Sequence, residues 1–286
     1  MNKRLYTLLA AVAALGLSAG VGTDAMAQAK DWKKIKIATE GAYAPWNFTN
    51  AAGKLEGFEV DLANDLCKRM KAECEIVAQD WDGIIPSLQA GKYDVIIAGM
   101  SITPKRMEVI DFSTPYAVTP AALAVLKSSP LAKIPADKNY DLTKNKAEAE
   151  KAIEGLKVAL KGKVIGAQVS TTHSNFIEAY FKGTAETRTY KTTEQHDLDI
   201  TAGRLDGAYA SIGYWKPLMG KPEGKDLVMV GPTFTGGIFG TGVGAGLRKT
   251  DPELKAKFNE AIGAAAKDGT IKTLAVKWFG FDNTPQ

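Results

Sequence analysis

The stretch YDVIIAG, residues 93–99, is apolar at consecutive rather than alternate positions: Val95, Ile96, Ile97 and Ala98 follow one another. A strand with one wet face alternates, so this run predicts a strand covered by helices on both faces, as in a parallel sheet. It closes a longer pattern. KIKIAT reads as a strand ending near Thr39, and GFEVDLANDLCKRM spaces Phe58, Leu62, Leu66 and Met70 four apart as one helical stripe. CEIVAQ is a second strand, and GIIPSLQAG a short helix stopped by Gly91. Residues 35–99 therefore predict β-α-β-α-β, with right-handed crossovers.

A second unit begins at KVIGAQ and continues with a helix from STTHSNFIEAYF, the strand TRTYK, a helix across EQHDLDITAG and the strand DGAYA. The two units share an architecture without a fixed-period sequence repeat. Toward the end, Asp251 is expected as an N-cap and Pro252 in the first turn of a helix. Leu254, Phe258 and Ile262 lie on one face of it, and Gly269 is its stop. ADKNYDLTKNKAEAEKAIEG, residues 136–155, is charged and poor in apolar residues, and reads as a solvated helical insertion without chemistry.

The first 27 residues have the three parts of an export signal. Lys3 and Arg4 form a charged start, Leu8 to Leu17 an apolar run, and Ala25-Met26-Ala27 a small-residue cleavage site. The run is too short for a permanent bilayer anchor. Removing it takes away Lys3, Arg4 and Asp24, so the formal charge falls from +4 to +3. So mild a balance, evenly interspersed, argues for neither nucleic acid nor a membrane surface as partner. At 45% hydrophobic residues, what remains is long enough for two modest cores. In an exported chain the close pair Cys67 and Cys74 predicts a disulfide that pins a helix end to the next strand. A metal site is not expected, because neither His173 nor His196 lies near the cysteines.

In open parallel sheets ligands sit outside the carboxyl ends of the strands. That rule selects TEGAYAPWNF, QDWDG and AGMSITPKR in the first unit, and QVSTTHS, KTTEQHD and YASIGYW in the second. The first set holds a carboxylate, rings and a guanidinium. The second is rich in hydroxyls and amides at helix starts, where free backbone N–H groups favour an anion. By residue type alone Arg106 is a surface cation paired with Glu108 or Asp111. At the end of a buried strand it reads instead as a ligand for a small charged molecule held between the two units.

YAPWNF, GFEVDLANDLCKRM, DWDGIIPSL, SITPKR and TGVGAGLRK together resemble the periplasmic solute-binding proteins of polar amino-acid ABC importers. The likeness runs over residues 35–281 and is greatest to the lysine/arginine/ornithine and histidine binders and their opine-binding relatives. It implies the type II periplasmic-binding-protein fold: two α/β lobes, each a mostly parallel sheet flanked by helices, joined by a two-strand hinge that closes on one ligand. Lobe 1 would be 30–119 with 236–286, and lobe 2 would be 120–235. The resemblance implies a monomer in the periplasm, without cofactor, that delivers its solute to an inner-membrane permease.

The same resemblance places Arg106 on the ligand's α-carboxylate, which suits the planar fork of a guanidinium. Thr171 and Thr172 would add donors from lobe 2, Tyr43 and Trp81 would enclose the ligand's stem, and Glu40 would meet the distal cation of a basic ligand. Ser101 completes the set from the SITPKR segment. The departures from the pattern carry information too. Free amino-acid binders place an Asp where this chain has Ser211, and a hydroxyl compensates poorly for burying a primary ammonium. Ala98 and Gly99 stand where hydroxyl-bearing serines are usual, while Gln168 and His173 replace an apolar and an amide position. These changes resemble the opine binders, so an arginine-derived opine such as octopine or nopaline is the expected ligand. Free arginine, lysine, ornithine or histidine remains the alternative. Enzymes share this fold, but STTHS brings Ser and His together with no third residue to orient a base and no paired carboxylates, so catalysis is not expected.

Overall fold

Each expected unit builds its own sheet. A computed structural model describes residues 30–285, so the expected export signal at 1–27 lies outside the described residues. In the first sheet Lys34–Thr39 runs between two parallel neighbours, Glu73–Ala78 and Val95–Ile96. Gly246–Leu247 and Asp111–Phe112 complete it in antiparallel sense. In the second sheet Val164–Gln168 lies between parallel Glu186–Tyr190 and Gly207–Ser211. Ala121–Leu126 and Leu227–Thr235 follow antiparallel, with Asn139–Asp141 at the edge. Both sheets combine parallel and antiparallel pairs, the parallel ones forming the β-α-β units expected from the sequence. The antiparallel strands are those that flank the two segments passing between the sheets, residues 113–120 and 236–245.

These segments pair with one another. Tyr116 N–H donates to Val243 O at 2.9 Å, and Val243 N–H donates to Ala117 O at 2.8 Å. This is the expected two-strand connection. Among the described residues no helix is long and apolar enough to cross a membrane.

The helix Phe58–Arg69 buries Phe58, Leu62 and Leu66 of the expected stripe, while the fourth member, Met70, is its C-cap residue and half-buried. Its start is closed by backbone rather than by a side-chain cap. Phe58 and Glu59 donate their N–H groups to Pro45 O and Trp46 O at 2.9 and 2.8 Å. Gly57 makes this possible. Its φ is +129°, and a Cβ there would stand 2.5 Å from Trp46 O. The 40–47 loop is thereby fastened over the helix start, next to the strand end that carries Glu40.

Several expectations need correction. Residues 136–155 are not a solvated insertion. They contribute the edge strand Asn139–Asp141 and most of the helix Lys146–Leu160, which buries Ala149, Ile153, Leu156 and Leu160. Burying each large aliphatic side chain contributes about 1.5–3 kcal/mol, enough to dock a helix whose other face is charged. The strand expected over residues 93–99 is paired as a strand only at Val95–Ile96, because the chain turns away at Ala98 and Gly99 to form a loop. Asp251 sits at the expected cap position of Pro252–Lys267 without capping it; its carboxylate is drawn to Arg248 at 2.7 Å. Gly269 ends that helix in left-handed conformation, but a further helix, Thr270–Phe279, follows at once.

Cys67 and Cys74 form the expected disulfide, between the last turn of Phe58–Arg69 and the amino end of the strand Glu73–Ala78. It lies at the end of the strand away from Asp80 and Trp81. Reduction is therefore expected to lower unfolding stability in urea by about 2–3 kcal/mol, from the loss of a short-loop constraint. Ligand preference should be the same with and without reductant, and unchanged unfolding midpoints would contradict the assignment of stability to this bridge.

Candidate functional site

The carboxyl ends of the parallel strands in the two sheets bring the selected loops around one cavity. Glu40, Tyr43, Trp81, Ala98, Gly99, Ser101 and Arg106 line it from the first unit. Gln168, Thr171, Thr172 and His173 line it from the second. Ser211 lines an adjoining cavity that shares Tyr43, Gly99, Ser101, Thr172 and His173 with the first. Every residue expected at the site thus lines one or both of these two adjoining cavities.

Arg106 stands in the short helix Pro104–Met107, whose N-cap Thr103 accepts the Arg106 N–H on its Oγ1. The guanidinium donates through Nη1 to Ser101 O at 2.9 Å and through Nη2 to Ser170 O at 3.3 Å. It lies 5.2 Å from the centre of the Trp81 ring, within cation–π range. Neither candidate surface partner is used, since Asp111 pairs with Lys255 at 2.9 Å. Among the described residues no carboxylate pairs with Arg106, and burial pushes its pKa down to about 10. A part-buried cation held by two carbonyls and a ring face keeps donors for an anion.

Glu40 follows the strand Lys34–Thr39 and is 7% exposed. Gln168 Nε2 donates to its Oε1 at 2.5 Å and also to Lys191 O at 2.9 Å. Burial is the main force pushing the Glu40 carboxyl up to about 7; Glu59, Asp80 and Glu194 push the same way and the Gln168 bond opposes them. Burial also pushes His173 down to about 3, so its ring is neutral near neutral pH.

The Tyr43 ring stacks on Tyr214 at 5.2 Å, and its hydroxyl meets Ser211 Oγ at 2.7 Å. Ser211 in turn caps the helix Ile212–Met219, accepting the Tyr214 N–H at 3.1 Å. Gly99 lies under the Tyr43 ring with φ +60°, and a Cβ there would stand 3.2 Å from Tyr43 Cε1. Thr171 is the N-cap of Thr172–Phe181 and forms a capping box with Ser174. Its hydroxyl donates to Gln168 O and its N–H to Ser174 Oγ, so Thr172 is the one of the pair left with donors for a ligand.

The cavity includes residues that sequence reasoning did not single out. Tyr209 lies two residues before Ser211 on the same strand, hence on the same face, and that alternation was the available signal. Its hydroxyl and Trp81 Nε1 are buried without a hydrogen-bond partner among the described residues, which favours a polar ligand over an apolar one. Thr193 and Trp46 were within selected loops, KTTEQHD and TEGAYAPWNF, whereas Phe239 carried no polar signal.

The sequence profile of the bacterial extracellular solute-binding proteins, family 3, matches residues 35–281. The chain belongs to that family. It is 48% identical over 272 residues to the octopine-binding periplasmic protein of Rhizobium meliloti, covering 88% of this chain and 92% of that one. It is 36% identical to the lysine/arginine/ornithine-binding periplasmic protein of Escherichia coli K12, covering 95% and 97%. A crystal structure of a periplasmic His/Glu/Gln/Arg/opine family-binding protein from Silicibacter pomeroyi in complex with lysine matches with a TM-score of 0.71 and 37% identity. It covers 88% of this chain and all of that one.

In this family 3 solute-binding protein several hydrogen bonds join the two sheets' loops directly. Besides Gln168 to Glu40 and Tyr43 with Ser211, Ser170 Oγ donates to Asp82 Oδ1 at 2.7 Å. The raised carboxyl of Glu40 has a consequence for stability. A carboxyl lifted from 4.5 to about 7 contributes stability that is complete below its unfolded value and lost as pH rises through 7. Glu40→Gln, always neutral, is expected to be more stable than the parent at pH 8 by about 1–3 kcal/mol in urea unfolding, with the gap closing toward pH 4.5. A pH-independent difference would mean that Glu40 is not titrating in this range.

Proposed function

We propose that this protein is a periplasmic receptor that captures an arginine-derived opine of the octopine or nopaline class and delivers it to an ABC importer in the inner membrane. The observation that carries this reading is the part-buried Arg106 guanidinium, without a carboxylate partner among the described residues, in one cavity with the buried carboxyl of Glu40. The first suits a ligand carboxylate and the second a distal cation. The opine rather than the free amino acid is favoured by Ser211, whose hydroxyl is already engaged by Tyr43 and by the Tyr214 N–H. Among the described residues no carboxylate lines that corner to offset a primary ammonium. The name of the octopine-binding relative supports the same choice.

Free arginine, lysine or another basic amino acid is the second reading, favoured by Glu40, which would serve any of their cations, and by the names of the lysine- and arginine-binding relatives. On either reading the protein acts as a monomeric binder, with lobe 1 spanning 30–119 and 236–286 and lobe 2 spanning 120–235. We read it as a receptor rather than an enzyme: His173, the histidine lining the cavity, is held at about 3, a poor proton acceptor at neutral pH.

Arg106→Ala is expected to weaken binding of every ligand by two to four decades in calorimetry, since removing one member of a buried pair costs about 3–5 kcal/mol. Affinity within about tenfold of the parent would remove Arg106 from the ligand contacts. Ser211→Asp separates the two readings. The new carboxylate should improve binding of free arginine and weaken octopine or nopaline through like-charge repulsion with the opine's second carboxylate. A parent protein that binds arginine more tightly than any opine decides for the second reading.

A further inference from the structure

Glu59 lies one residue after Phe58 at the start of the helix Phe58–Arg69, yet is only 1% exposed. Among the described residues its carboxylate is not paired with a cation. It accepts from three donors on three different segments: Asn47 Nδ2 at 2.6 Å, the Gly99 N–H at 2.6 Å and the Tyr116 hydroxyl. Asn47 in turn accepts the Gly41 N–H on Oδ1 at 2.7 Å. One buried carboxylate is thus bonded, directly or through Asn47, to the residue after Glu40, to the glycine under the Tyr43 ring, and to the first segment passing between the sheets. The start of a helix favours negative charge there. Burial raises the Glu59 carboxyl and the three donors oppose it.

We infer that Glu59 is a positioning residue for the ligand cavity, setting the 40–47 loop and the loop at Gly99 at their working distance from each other. Removing one acceptor leaves buried donors unsatisfied and frees both cavity walls at once. Glu59 also acts at longer range. After burial, its charge together with those of Asp80 and Glu194 raises the Glu40 carboxyl, while Gln168 opposes them. Where Glu40 receives a cationic side chain, as proposed above, affinity for arginine rises with pH up to about 7, and Glu59 helps to set that midpoint.

Glu59→Gln and Glu59→Asp in the purified protein test this, with L-arginine as the probe. In the Gln variant the Gly99 amide proton should move upfield in the NMR spectrum and exchange at least about tenfold faster. Arginine affinity at pH 8, where Glu40 is ionised in either protein, should fall about tenfold. The midpoint of affinity against pH should move to lower pH. The Asp variant keeps the charge and shortens the arm, so it should keep the midpoint while its Gly99 amide also shifts. If Glu59→Gln fails to fold, the Asp variant decides alone. A Gly99 amide and an arginine affinity matching the parent in the folded variants would overturn the inference, as would an unmoved midpoint in Glu59→Gln. A parent protein whose arginine affinity ignores pH would defeat the reading of Glu40 instead, and the Gly99 amide would still report on Glu59.

Discussion

A carboxylate buried beneath the ligand cleft is the constraint around which the first lobe is arranged. Among the described residues Glu59 has no cation partner, so its charge is offset by hydrogen-bond donors, and those donors come from distant parts of the chain. An ionised group in such surroundings tolerates no missing partner. The 40–47 loop, the loop at Gly99 and the first connecting segment are therefore held in one arrangement, and Gly57 allows the first of them to close over the helix start. The cavity walls inherit their position from this polar knot.

The cavity itself is electrically unbalanced in a way that fits an ampholyte. Arg106 is a cation braced by two carbonyls and the face of Trp81, and Glu40 is a carboxyl lifted by burial and by neighbouring acids. A ligand carrying an anionic head and a cationic tail answers both. The hydroxyl pair of Tyr43 and Ser211 occupies another part of the cleft and links the two lobes. Flat stacking of Tyr43 on Tyr214, and the close approach of the Gly99 backbone to the same ring, hold the ring that carries that hydroxyl.

Much of the fold was legible from periodicity. The spacing of Phe58, Leu62 and Leu66 marked a helix face, and the consecutive apolar residues after Tyr93 marked a buried strand. The loops at the strand ends then contained the residues that line the cavity. The helix Lys146–Leu160 was misjudged for a definite reason. Its buried positions are Ala149, Ile153, Leu156 and Leu160, and a window ending at Gly155 cuts that stripe in half. The helix Thr270–Phe279 carries a comparable stripe at Ile271, Ala275 and Phe279, passed over because Gly269 reads as a terminus although the chain can restart after one left-handed residue. Glu59 was hidden more deeply, since one residue beyond an apolar position a charged side chain is assigned to the wet face.

The sequence by itself determined the alternation of strands and helices, the pairing of two neighbouring cysteines and the loops in which ligand chemistry resides. Those depend on residues within a few turns of one another along the chain. Only the tertiary structure decided that Arg106 is left without a carboxylate, that Glu40 bonds to Gln168 across the cleft, and that Glu59 is buried while Asp82 meets Ser170. It also decided the ionisation of Glu40 and His173. Burial and electrostatic environment are sums over atoms brought together from remote segments, and no local pattern of residues contains them.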